Sequence, residues 1–289
     1  MKLARLGPRG QEVPAVVTDG SVLDLRGLTP DIDPTFLAGD GLDRIRQALD
    51  AGTLPELPAA GELRIGTPLA RPAAVLCIGM NYAAHAAESG SAPPQHPVLF
   101  HKSPSCLGGP DDAVAIPPGA SKVDWEVELG LVIGRRCSYL DSPQQSLGHV
   151  AGFLVADDLS ERAFQLEMSG GQWSKGKSSP GFGPLGPYLV TADEIDARDL
   201  RMRSWVNGEP RQDSRTSDMI FDVDYLLWHL SQFLALEPGD VVLTGTPEGV
   251  ALSGRFPYLQ PGDVVELEIE GLGRQRHEMV ETVVGGVSR

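Results

Sequence analysis

Eleven consecutive residues constrain this chain most: Val123-Asp124-Trp125-Glu126-Val127-Glu128-Leu129-Gly130-Leu131-Val132-Ile133. Successive side chains of an extended strand point to opposite faces. Asp124, Glu126 and Glu128 therefore share one face, while Val127, Leu129, Leu131 and Ile133 share the other. Such a strand needs a sheet with a buried apolar side, and its acidic side has two readings. It is a solvated face, or a hard divalent cation held by oxygen ligands relieves the repulsion between the carboxylates. A second acidic cluster, Val155-Ala156-Asp157-Asp158-Leu159-Ser160, follows an apolar strand. Asp158 or Ser160 can cap a helix there. Taken with the first segment, it suggests a Glu, Glu, Asp metal site.

The bulk composition narrows the function classes. With 289 residues and 41% hydrophobic content the chain can bury a full core. Lys plus Arg total 24 against 39 Asp plus Glu. That field repels phosphate backbones, so no nucleic-acid partner is expected. Any anionic substrate must then be held by local compensation from a metal, Lys, Arg or backbone donors. The opening Met1–Gly10 carries charge and turn formers where a secretion signal needs an apolar run, and Gly, Pro or charge breaks every longer apolar stretch. No membrane partner is expected. Cys77, Cys106 and Cys137 form an odd, widely spaced trio without a C-x-x-C pair, which fits a reducing cytoplasm.

The pattern along the chain predicts an α+β, strand-dominated fold. A small N-terminal unit holds strands at 3–6, 13–18 and 22–25 and a helix at 42–51. A segment with Pro55, Pro58, Pro68 and Pro72 then reads as a linker, giving domains 1–70 and 71–289. Further strands are predicted at 73–78, 98–101, 123–133, 150–156, 201–206, 241–243 and 264–269. Helices are predicted at 81–88, 160–168 and 217–236. The motif L-x-P-G-D-V-V occurs at 236–242 and again at 259–265. Each copy is a Pro-Gly-Asp turn launching a strand, which needs no structural repeat.

Other segments carry candidate chemistry. His85 and Glu88 are three apart on one helical face, so the carboxylate can orient the imidazole as a base, or the two form a surface ion pair. Lys177 lies in a Gly- and Ser-rich loop where a cation could meet an anionic intermediate. Leu243-Thr244-Gly245-Thr246-Pro247-Glu248-Gly249 offers hydroxyls and amides at a tight turn, a candidate carboxylate cradle. Gly181-Phe182-Gly183-Pro184-Leu185-Gly186 spells G-x-G-x-x-G but lacks the strand-turn-helix context of a dinucleotide site.

Together, C-I-G-x-N-Y-x-x-H-x-x-E, D-x-E-x-E-L-G, the D-L-S helix start, G-K-S, P-L-G-P, V-N-G-E, P-G-D and T-G-T-P-x-G-V resemble the fumarylacetoacetate hydrolase family over residues 71 to about 283. The resemblance implies a mixed β-sandwich roll, usually a homodimer. It implies Mg2+ or Mn2+ on Glu126, Glu128 and Asp158, with His85 and Glu88 activating water and Lys177 completing the catalytic set. Substrate contacts are implied for Gln165, Thr246, Arg162 and Tyr82. Within the family, the chain looks like bacterial 2,4-diketo-3-deoxy sugar-acid hydrolases. The implied reaction is cleavage of a 2,4-dioxo acid to pyruvate and a second acid. Decarboxylation or tautomerisation of a 2-oxo acid such as oxaloacetate, and non-catalytic metabolite binding, are the alternatives. Where the family commonly has Asp-Thr-Phe after the lysine, this chain has Pro180-Gly181-Phe182. The loop 179–181 is therefore expected to set substrate preference.

Overall fold

The computed structural model describes residues 1–283. A nine-stranded mixed sheet runs in the order Ser21–Asp24, Val13–Thr18, Lys2–Leu6, Leu189–Thr191, Val150–Asp157, Val127–Ile133, Val241–Leu243, Val75–Gly79, Val98–Lys102. Only Val241–Leu243 and Val75–Gly79 pair in parallel within it. A five-stranded sheet, ordered Glu209–Arg215, Arg201–Val206, Val264–Ile269, Gly273–Glu281, Val114–Ile116, packs against one face.

Strand alternation explains the layering. Val127, Leu129, Leu131 and Ile133 face the five-stranded sheet and pack with Met202, Val265, Leu267 and Met279, as the sequence pattern requires. The opposite side of the large sheet, including Val75, Cys77, Leu154 and Val241, is covered by Ile32, Phe36, Leu37 and Ile45 from the helical N-terminal segment. Each fully buried aliphatic side chain contributes about 1.5–3 kcal/mol, so both faces are anchored. The N-terminal strands join the large sheet directly, since Lys2 and Leu3 pair with Val190 and Leu189. The two Pro-Gly-Asp turns launch strands of different sheets and share one device: Asp240 accepts from the Glu237 amide at 2.8 Å and Asp263 from the Gln260 amide at 2.7 Å.

Three expectations are corrected. The 123–133 run is not one strand. Val123–Asp124 pairs with Ser160–Glu161 in a separate two-stranded ribbon, and Val127–Ile133 joins the large sheet. Residues 160–168 are not a helix capped by Asp158. Glu161 accepts from the amides of Ser121, Lys122 and Phe164, which holds the start extended, and only Ala163–Glu167 forms a single π-helical turn. The helix expected over 217–236 is confined to Val223–Ser231, where Asp222 caps it by accepting from the Tyr225 amide at 2.8 Å.

Register then sets up one end of the sheet. Asp157 pairs with Val127, so Asp158 arrives opposite Glu126. Leu243 pairs with Gly130, which brings Gly245 opposite Glu128. The strand ending at Gly79 stops at the same edge.

Candidate active site

At this edge one carboxylate oxygen from each of Glu126, Glu128 and Asp158 lies within 4.8 Å of the others, and all three residues are buried. Asp124 does not join them. Its carboxylate accepts from the Ala251 and Leu252 amides at 2.8 and 2.9 Å and pairs with Arg162, because the break at Trp125 and Glu126 turns it away. Asp157, the other half of the acidic pair, points to the opposite side, towards His277.

Three buried cations stand beside the carboxylates. Lys177 Nζ, on the short helix Ser174–Lys177 rather than in a loop, lies 2.7 Å from Glu126, 2.6 Å from Asp158 and 2.8 Å from Ser160 Oγ. Lys102 Nζ donates to Asp158 at 2.5 Å. Arg162 bridges Asp124 at 2.8 Å and Glu126 at 2.7 Å. Burial pulls the Lys177 pKa down, but Asp158 and Glu126 outweigh it and hold the group above its ordinary value. Lys177 is thus an ammonium cation, suited to electrostatic stabilisation and not to nucleophilic attack. Lys102 was not foreseen; its only signal is a lysine ending the apolar run Val98-Leu99-Phe100-His101-Lys102.

Burial raises the Glu126 carboxyl, yet Lys177 and then Arg162 drive it well below the usual range. Glu128 behaves oppositely: burial, then Asp158 and Glu126, push it well above its ordinary value. Among the described residues no cation pairs with Glu128; its partner is the Gly245 amide, donating at 2.9 Å. Four buried carboxylates, Asp124 included, face three cations, and the carboxylate without one belongs to the triad. An all-oxygen donor set short of positive charge fits a hard divalent ion such as Mg2+ or Mn2+.

This has a pH consequence. With its carboxyl raised, folded apoprotein keeps a proton on Glu128 that the unfolded chain releases near 4.5. The folded state binds more protons, so apoprotein stability falls as pH rises from there towards the folded value. A bound divalent cation removes that loss. The gain in Tm from Mn2+ over EDTA is therefore expected to grow with pH across this window. A gain that shrinks with rising pH in scanning calorimetry contradicts the assignment.

His85 and Glu88 lie on the helix Ala83–Glu88, Nδ1 to Oε1 at 3.0 Å. The pair is not a surface ion pair, since His85 is 6% exposed. Glu88 also accepts from the Gly249 amide at 3.0 Å and from Arg255 at 2.8 Å. Burial raises Glu88, but these donors together with His85 hold it below its ordinary value. A fixed carboxylate facing Nδ1 leaves Nε2 as the proton acceptor.

A cavity of about 200 Å3 brings together His85, Glu126, Glu128, Arg162, Gln165, Lys177 and Thr246. Gln165 lies beside the Arg162 guanidinium, accepting from Nη1 at 2.9 Å. The Thr246 hydroxyl is already engaged, donating to Val127 O at 2.9 Å and accepting from Gln212 at 2.8 Å. The turn around it cradles carboxylates of the protein itself, since Gly245 binds Glu128 and Gly249 binds Glu88. Tyr82 does not reach the cavity. It is 1% exposed, with its hydroxyl 3.1 Å from Met202 Sδ, and belongs to the core. Residues 179–181 do not line this cavity. Gly181 has φ +84°, a conformation in which a β-branched side chain such as threonine would be strained. The wall is instead built by Trp173, edge-on to Phe100 at 5.5 Å. Its indole lies so close to Gly79 that a Cβ there would come within 2.3 Å.

Carboxylates, buried cations and a carboxylate-held imidazole converging on one cavity at this end of the sheet are the equipment of an enzyme. Residues 74–280 match the fumarylacetoacetate (FAA) hydrolase C-terminal domain, and the chain belongs to the fumarylacetoacetate hydrolase family. It is 47% identical over 280 residues to a protein of Burkholderia multivorans provisionally named a hydrolase, covering 95% of this chain and 97% of that relative. The fumarylacetoacetate hydrolase of Exiguobacterium antarcticum superposes with a TM-score of 0.86 at 34% identity, covering 98% of this chain and 100% of that one. A maleylpyruvate hydrolase of Sphingobium sp. SYK-6, crystallised with manganese(II) and pyruvate, superposes with a TM-score of 0.80 at 27% identity, with the same coverage. Among the described residues no helix is long and apolar enough to cross a membrane.

Proposed function

We propose that this enzyme hydrolyses the C3–C4 bond of a 2,4-dioxo acid of the acylpyruvate type to pyruvate and a second carboxylic acid. The observation that carries this reading is a single cavity lined by Glu126, Glu128, Lys177 and His85, with Asp158 within 4.8 Å of the two glutamates and Glu88 holding the imidazole. Mg2+ or Mn2+ on Glu126, Glu128 and Asp158 would supply Lewis-acid polarisation of the 2-oxo group.

His85, held by Glu88, takes a proton from water, and the resulting hydroxide adds to the C4 carbonyl. As the C3–C4 bond breaks, its electron pair passes to the 2-oxo oxygen as an enolate, and protonation at C3 gives pyruvate. Lys177 supplies fixed positive charge beside that developing anion. Arg162 and Gln165 orient the acid. The sequence branch points to a diketo-deoxy sugar acid, while apolar groups such as Ile78, Met80 and Trp173 in the lining favour a sparsely hydroxylated tail. The reading also includes a homodimer working in the cytoplasm.

The test is purified protein with Mn2+ or Mg2+ and a panel of 2,4-dioxo acids, with products weighed by mass spectrometry. Two organic acids in equal amounts are expected. CO2 from oxaloacetate with no second acid makes the enzyme a decarboxylase. An isomer of unchanged mass makes it a tautomerase, and no turnover of any substrate makes it a binding protein.

A further inference from the structure

Trp125 and Glu126 form the break between Val123–Asp124 and Val127–Ile133. Glu126 sits there without a ladder partner, yet it bears a candidate ligand. Two hydrogen bonds replace the ladder: the Glu126 amide donates to Asp157 Oδ1 at 2.9 Å, and Glu126 O accepts from the Asp158 amide at 3.0 Å. These tie the backbone of one ligand to the segment bearing another. The outer oxygen of Asp157 lies 3.0 Å from His277 Nε2, and both residues are 0% exposed. His277 lies on Gly273–Glu281 of the five-stranded sheet, which otherwise gives the triad no side chain.

We propose that His277 and Asp157 are positioning residues that set the spacing of Glu126 and Asp158 and thereby the affinity of the centre for a divalent ion. A fully buried imidazole and carboxylate are costly to keep unless their placement serves a purpose. Simple sheet-to-sheet packing needs neither, because neighbours on the same strands meet through apolar contacts such as Met279 with the core. The Asp157 carboxylate works through its position: one oxygen accepts from the Glu126 amide, and the other abuts the His277 ring at 3.0 Å. Groups that orient metal ligands in this way typically contribute about 10-fold to 100-fold in affinity. The inference rests on the triad being a metal site.

The experiment is Mn2+ binding to the full chain, measured from the EPR signal of free Mn2+, with Tm recorded in EDTA. Asp157→Ala and His277→Phe are each expected to weaken binding about 10-fold to 100-fold. Phe fills the imidazole space without a ring nitrogen facing Asp157, so it decides the matter if the alanine variant does not fold. Asp157→Asn keeps an oxygen for the Glu126 amide and is expected to restore most of the affinity. A folded Asp157→Ala or His277→Phe protein with wild-type affinity, even at lowered Tm, overturns the proposal and leaves a packing role. An asparagine variant as weak as alanine also overturns it, in favour of a bare charge effect. If the wild-type chain binds no Mn2+, the metal reading falls and this inference falls with it. Wild-type binding with unaffected variants removes this inference alone.

Discussion

Glu128→Gln is expected to abolish divalent-metal binding and hydrolysis while raising the Tm of the metal-free protein. The signs differ because Glu128 is the triad member with no cation of its own among the described residues. Without metal, above the ordinary carboxylate range Glu128 must either hold a proton or carry its charge beside Asp158 and Glu126, and either costs stability, so an isosteric neutral amide relieves the apoprotein. With metal, the amide removes an anionic ligand from a hard-ion site. A metal ion contributes several kcal/mol to a reaction of this kind; a loss of about 4 kcal/mol slows turnover roughly a thousandfold. Glu126→Ala should lose activity as fully but lower the apoprotein Tm, because Lys177 and Arg162 are both left short of a buried partner. Calorimetry in EDTA and a metal titration check both. Full activity with unchanged metal content in either variant refutes the ligand set.

The second large effect concerns the base. His85→Ala is expected to slow C–C hydrolysis about 100-fold to 10,000-fold, the usual contribution of a positioned general base. Decarboxylation of oxaloacetate by the same protein should fall far less, since it needs an enolate sink but no activated water. Because Glu88 is bound by Gly249 and Arg255 as well as by His85, the fold around it should survive the change. Equal losses in the two reactions would mean that His85 serves the cavity in some other way.

The carboxylate cluster was legible in the sequence because its signal is local: carboxylates alternating on an apolar strand, then an acidic residue at the end of another. Their surroundings were not, because they depend on partners far along the chain. Asp124 looked equivalent to Glu126 and Glu128 by spacing, and only the amides of Ala251 and Leu252, with Arg162, show that it faces elsewhere. The extended start at Ser160 was hidden because helix capping and strand pairing draw on the same residue types, and Glu161's contacts to Ser121 and Lys122 decide between them. Tyr82 sits inside a motif of which Ile78, Gly79 and His85 line the cavity, so motif membership alone could not separate a core aromatic from a substrate contact. His277 shares its strand face with Gln275 and Met279, opposite Arg274, Arg276 and Glu278, so alternation turns it inward, but nothing local names Asp157 as the group it meets.

The contact between Trp173 and Gly79 carries a message about descent. Because the indole occupies the space a side chain at 79 would need, the two positions cannot mutate in either order. A lineage moving towards a bulkier substrate can first shrink Trp173 and only then admit a side chain at 79. The reverse sequence passes through a protein whose pocket wall has been pushed out of place. Substrate range in this lineage is therefore expected to change directionally, with the wall opening first and being reshaped afterwards, and intermediate forms should be permissive rather than selective.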